Sequence, residues 1–188
     1  TFRSCALACA TRFDSVCMNF SGYSENCIFE RYLCSSRCVT SCLRGSGRAT
    51  PEATKECIEY VSETTKWLGY NLIRKHMKVE PDRWYYWADR LGILVWQDMP
   101  MGNNWSGWGQ NTYQDELRRM MSNLHNHPSV ITWVIFNEYW GQFSVGNVAG
   151  MVKQLDPSRL VIGATGYADQ GVGDLVSFHS YRKVEFPQ

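Results

Sequence analysis

The chain has 188 residues with 19 Lys and Arg against 18 Asp and Glu, a formal charge of +1 that offers nucleic acid no electrostatic footprint. Its 44% hydrophobic and 20% charged residues exclude wholesale disorder, and no apolar run approaches the roughly 18 residues of a membrane helix. It opens at Thr1 with neither an initiator Met nor a signal-peptide pattern, which reads as a soluble chain that has been processed or excerpted.

Cysteine usage divides the chain. Cys5, Cys9, Cys17, Cys27, Cys34, Cys38 and Cys42 crowd the front, Cys57 follows, and none comes after it. A front piece this small cannot bury enough core unaided, so the density reads as a disulfide framework in an oxidising compartment, extracellular or secretory. Eight Cys allow 105 pairings, and the sequence chooses none of them. Zinc is the alternative, because Cys34, Cys38 and Cys42 recur at helical spacing. No His lies in the segment to complete a mixed site, which favours disulfides. Sequons at Asn19 and Asn104 fit the secreted reading if both are exposed. The run from Ser4-Cys5 and Cys9 through Cys17-Met18-Asn19-Phe20 to Cys27 resembles part of a PAN/apple domain, which implies an extracellular module that binds protein or carbohydrate. Gly45-Ser46-Gly47 reads as a hinge, placing a Cys-rich module at 1–46 and a second domain at 47–188.

Thr50 as N-cap, Pro51 and Glu52 open a predicted helix that runs to Leu68 and stops at Gly69. A short apolar strand follows over 70–76, then an amphipathic helix from Pro81 to Leu91 closed by Gly92, and a strand at Ile93–Trp96. Beyond a Gly, Asn and Trp-rich loop, a helix is expected over about Asn111–Leu124 and a strand over Val130–Phe136. The last elements are a helix over Val145–Leu155 and strands at Leu160–Gly163 and Leu175–Phe178. Continuous apolar strands between helices predict a parallel sheet covered by helices, an α/β fold. Polar residues gather at the C-terminal ends of those strands: Arg74 and His76, Gln97 and Asp98, Asn137 and Glu138, His179 and Tyr181. A barrel brings such ends to one mouth, whereas an open nucleotide-binding sheet wants a Gly-rich phosphate loop that this chain lacks.

The segment Asn126-His127-Pro128-Ser129-Val130-Ile131-Thr132-Trp133-Val134-Ile135-Phe136-Asn137-Glu138 resembles the acid/base signature of family 2 glycoside hydrolases. Asn71-Leu72-Ile73-Arg74-Lys75-His76 and the run from Pro81 to Asp98 resemble the same family, so the likeness spans about 50–182. It implies a partial (β/α)8 TIM barrel, about strands 2 to 6, and a retaining β-galactosidase, β-glucuronidase or β-mannosidase chemistry on a carbohydrate. No cofactor is implied. By this resemblance Glu138 is the acid/base, and rings such as Trp133, Tyr139 and Trp140 favour its neutral form by desolvation. Asn137 binds the hydroxyl beside the reacting carbon, and His76, Trp140 and His179 are sugar contacts. Arg74 and Asp98 pair to orient the acid or the sugar, and Tyr181 approaches the nucleophile. The four His give no metal spacing.

The family's nucleophilic Glu belongs to a seventh strand, and Glu185 lies too near the sixth to replace it. Two expectations follow. Either the chain is an excerpt of a retaining exo-glycosidase, or it is a secreted non-catalytic derivative that binds carbohydrate or serves in assembly. Inversion by Glu138 with Asp98 needs a separation of about 6.5 to 9.5 Å. Open sheet edges on a partial barrel call for self-association or a covering partner.

Overall fold

The computed structural model describes residues 59, 61–102, 104–138, 141–166 and 168–179. The eight Cys, Asn19, Trp140 and Tyr181 lie outside these, as do the Cys-rich module and the predicted N-cap at Thr50. The chain divides into two units, Thr1–Tyr70 and Asn71–Gln188. Of the first, a helical stretch over 61–67 is described. It ends where the sequence predicts, at Gly69, whose positive φ of 84° lets Tyr70 N donate back to the Thr65 carbonyl.

The second unit alternates strand and helix. Its elements are β1 (Leu72–Lys75), α1 (Asp82–Leu91), β2 (Leu94–Asp98), α2 (Gly107–Leu124), β3 (Val130–Asn137), α3 (Val145–Leu155) and β4 (Leu160–Thr165). All three pairings are parallel and the strand order is β1-β2-β3-β4, so neighbours in sequence are neighbours in space. This is the strand–helix repeat of a TIM barrel, present in part. Among the described residues no helix is long and apolar enough to cross a membrane.

Each helix turns one stripe inward. Trp84, Tyr85 and Ala88 are the buried face of α1, which closes at Gly92 with φ 68° and the cap N–H on the Ala88 carbonyl. Tyr113, Leu117, Met120, Met121 and Leu124 recur at helical spacing on α2 and are buried. That helix begins four residues before the predicted Asn111. Ser106 is the N-cap, accepting from Gly109 N at 3.1 Å, and it overrides the poor propensity of a first turn that reads Gly-Trp-Gly. Between α2 and β3, Tyr113 stacks on Phe136 with centroids 5.2 Å apart, and its hydroxyl donates to the Ile135 carbonyl.

The end of the sheet away from the strand C-termini is tied by ions. Asp156, just after α3, accepts from Trp133 Nε1 at 2.9 Å, Ser158 Oγ at 2.5 Å and Arg159 Nη1 at 2.6 Å. Arg159 also donates to the carbonyls of His125, His127 and Val130. Burial opposes ionisation of Asp156, but these hydrogen bonds and the Arg159 charge outweigh it and hold the carboxyl well below the usual range.

One predicted strand needs correction. Leu175–Phe178 lies in no strand. The free edge of β4 is taken by the preceding turn: Asp174 N donates to the Val161 carbonyl, Gly163 N donates to Val172, and Ile162 and Gly173 form an antiparallel bridge. Contact is so close that a Cβ on Gly173 would stand 2.5 Å from Val161 O. The stretch beyond reaches the sheet at its top, where Gly166 N donates to Ser177 O. Residues 172–174 thus cover part of an edge that the sequence leaves open.

Candidate active site

The last residues of three successive strands meet at one guanidinium. Arg74 of β1 donates from Nε to Asp98 Oδ1 at 3.1 Å and from Nη2 to Oδ2 at 2.8 Å, and Asp98 ends β2. The same Nη2 donates to Asn137 Oδ1 at 2.9 Å and to Thr165 Oγ1 at 3.0 Å, and these residues end β3 and β4. Thr165 in turn donates to Asn137 Oδ1 at 2.8 Å. Parallel pairing puts all these ends on one side of the sheet, where a barrel carries its chemistry.

Glu138 follows β3 and breaks the strand's rule. Consecutive strand side chains point to opposite faces, which would separate it from Asn137. Its φ is instead 51°, in the left-handed region that costs a non-glycine residue about 1–2 kcal/mol. Two hydrogen bonds hold it there, from Glu138 N to the Thr165 carbonyl at 2.7 Å and from Gln142 Nε2 to the Glu138 carbonyl. As a result both neighbours serve one cluster: Asn137 meets Arg74 directly, and Glu138 Oε1 meets His179 Nδ1 at 3.1 Å. His179 Nε2 lies 3.4 Å from Arg74 Nη1, which completes a chain Arg74–His179–Glu138.

Four of the predicted residues are thus brought to Arg74: Asp98 and Asn137 in contact, His179 in contact, and Glu138 through His179. His76 stands at the margin, its side chain 59% exposed and Nδ1 3.5 Å from Asp98 Oδ2. Asn104 is buried, and its amide nitrogen, the atom a glycan would modify, donates to Gly141 O at 3.0 Å. The exposure that this sequon requires is therefore not met. Among the described residues no group of three His, Cys, Asp or Glu is placed to hold a metal ion.

Sequence reasoning missed Thr165, Gly166 and Gln142. Thr165 obeys the rule that found the others, a polar residue at a strand's C-terminal end, but β4 runs two residues beyond its predicted end at Gly163. Gly166 has φ 86°, and a Cβ there would come within 2.9 Å of His179 Nδ1 and 3.1 Å of Glu138 Cγ. It keeps open the space that the Glu138–His179 pair fills. Between β2 and α2, Trp105 and Trp108 are 71% and 79% exposed.

Chemically, the arrangement provides a half-buried carboxyl with one oxygen anchored, an amide at its neighbour, and a fixed positive charge behind them. Such a group can give or take a proton at a bound substrate.

Comparison with known proteins agrees with this geometry. The model of glycosyl hydrolases family 2, TIM barrel domain, matches residues 47–188. A β-galactosidase of Aeromonas hydrophila is 31% identical over 122 residues, covering 57% of this chain and 11% of that protein. β-Mannosidase B of Aspergillus flavus is 34% identical over 76 residues, 39% of this chain and 9% of its own length. The crystal structure of Parabacteroides merdae β-glucuronidase superposes with a TM-score of 0.55 at 25% identity, covering 71% of this chain and 18% of that one. The chain spans about a tenth of the length of these two curated relatives. With most of its length matched by the family model and its strand ends converging as described, the chain belongs to the TIM barrel domain of glycosyl hydrolase family 2.

Proposed function

We propose that this domain contributes the acid/base half of a retaining glycosidase site, with Glu138 protonating the departing glycosidic oxygen and later activating water. The observation that carries this is the left-handed turn at Glu138, which brings Glu138 and Asn137 to one cluster on the strand-end side of the sheet. A strand-end Asn serving only as a cap would not need its neighbour in a strained conformation. Asn137 is then the contact to the hydroxyl beside the reacting carbon, oriented by Arg74 and Thr165, which saturate its carbonyl and leave its amide hydrogens for the sugar. Asp98 holds Arg74 and does not itself meet the sugar.

Retention requires a second carboxylate about 5–5.5 Å from the acid. The family resemblance assigns that nucleophile to a strand beyond those described. A β-glycoside is the substrate class, and the exposed faces of Trp105 and Trp108 suit sugar stacking. Galactosidases, glucuronidases and mannosidases all occur among the relatives, so the sugar is to be found by assay.

The test is Glu138→Gln in the full-length protein, assayed on a panel of aryl β-glycosides. An amide keeps the shape but has no proton to donate, so turnover should fall at least about 100-fold with folding intact. Unchanged turnover would exclude the role.

A further inference from the structure

We infer that His179 is a positioning residue whose tautomer is dictated by Arg74, and that it holds Glu138 through a neutral hydrogen bond instead of an ion pair. This rests on the acid/base reading of Glu138.

The argument begins with what each group can donate. A guanidinium has five N–H donors and no acceptor. Arg74 Nη1 faces His179 Nε2 at 3.4 Å, so that ring nitrogen must offer its lone pair. A proton on Nε2 would set donor against donor, and a ring protonated on both nitrogens would add a second positive charge beside the first. The proton of the ring is therefore on Nδ1, which lies 3.1 Å from Glu138 Oε1 and donates to it. An imidazolium paired with the Glu138 carboxylate would use the same contact, and the position of Arg74 argues against it.

The other charged groups point the same way. Among the described residues Asp98 is the carboxylate paired with Arg74, which occupies both its oxygens, Nε on Oδ1 and Nη2 on Oδ2. His76 stands 3.5 Å from Asp98 Oδ2. Asn137 from β3 and Thr165 from β4 are neutral and face Arg74. Gly166 gives the imidazole its place, since any side chain there would push on Nδ1 and Cε1.

The consequence concerns the acid step. A cation against Glu138 would hold its carboxyl ionised and empty it of the proton it must deliver. A neutral donor anchors Oε1 while favouring the carboxylate less than a cation would, and it strengthens as negative charge grows on the carboxyl while the proton leaves. His179 thus fixes the orientation of Glu138 and favours the transition state over the resting acid.

The test has two arms, both on the full-length protein. In the first, histidine is labelled with 15N, and the His179 resonance is identified among the four by its loss in His179→Asn. We expect the neutral Nδ1–H tautomer in the resting protein, and the same in Glu138→Gln because Arg74 imposes it. An Nε2–H tautomer, or a doubly protonated ring in the resting protein, would overturn the inference whatever the activity. In the second, His179→Phe removes the donor, while His179→Asn restores an N–H near the Nδ1 position. On a β-glycoside the Phe variant should lose about 10- to 100-fold in kcat with KM little changed, and its alkaline limb should move up by about one pH unit, as a carboxylate does when it loses a hydrogen-bond donor. The Asn variant should recover most of both. Equal loss in Phe and Asn with no movement of the limb would show a merely structural residue. Unchanged turnover of Glu138→Gln would sink the acid/base reading instead, and the tautomer measurement would stand apart from it.

Discussion

Arg74 and Asp98 meet in two parallel hydrogen bonds, at 3.1 and 2.8 Å, that join the end of β1 to the end of β2 and fix the guanidinium from which the rest of the cluster is built. Asp98 is buried, and Arg74 occupies both of its carboxylate oxygens. Removing Arg74 leaves a carboxylate in the interior whose partners among the described residues are the Met77 N–H and the half-exposed His76 at 3.5 Å, a loss on the order of 3 kcal/mol or more. Arg74→Met should therefore lower the urea midpoint far more than Asp98→Asn, which leaves a neutral amide in place. Equal midpoints would mean that the pair is not what joins the two strand ends.

Gly166 is predicted to tolerate no side chain. Alanine must adopt φ near 86° and place a Cβ 2.9 Å from His179 Nδ1. Gly166→Ala should cost about 1–3 kcal/mol in stability and displace the His179 ring. Denaturant titration reads the first and the His179 15N resonance the second. A variant with wild-type stability and an unmoved resonance would contradict the close approach.

Asp156 gives a prediction for acid. Its native carboxyl titrates below the ordinary Asp range, so it binds fewer protons at low pH than the unfolded chain does. Its contribution to stability is complete above the unfolded value near 3.8 and disappears as pH falls through the lower native value. Asp156→Asn should be less stable at neutral pH and should lose less on going from pH 5 to pH 2 than the wild type. Parallel stability curves for the two proteins would refute the sign of this shift.

The helices and the parallel order were legible because apolar periodicity reports burial directly. Thus Trp84, Tyr85 and Ala88 mark a helix face, and the run Val130–Phe136 marks a strand covered on both sides. Hydrogen-bond partners are not encoded that way. Leu175–Phe178 has the composition of a strand, but the turn before it had already taken the β4 edge, a tertiary competition that no local pattern expresses. Site residues show the same division. Asn137 and Glu138 follow from strand-end polarity, whereas the left-handed φ of Glu138 and the need for Gly166 depend on groups far along the chain. His179 was expected to touch sugar, and its contacts with Arg74 and Glu138 arise only when residues 105 positions apart are folded together.

The Cys-rich front, outside the described residues, carries its own expectation. If it is a disulfide framework, alkylation of the unfolded, unreduced protein should modify none of the eight Cys, and reduction should expose all eight. A zinc site would instead yield free thiols once the metal is chelated, without reductant.

The central claim is that Glu138 supplies the proton to the leaving group, and the dependence on leaving group tests it most directly. Glu138→Gln should be compared with wild type on a methyl and a dinitrophenyl β-glycoside of the preferred sugar, both assayed under single-turnover conditions. A dinitrophenolate departs without protonation and a methoxide does not, so the account predicts a loss of at least about 100-fold on the methyl glycoside and a much smaller one on the dinitrophenyl glycoside. Equal losses on both substrates, or none on either, would contradict it.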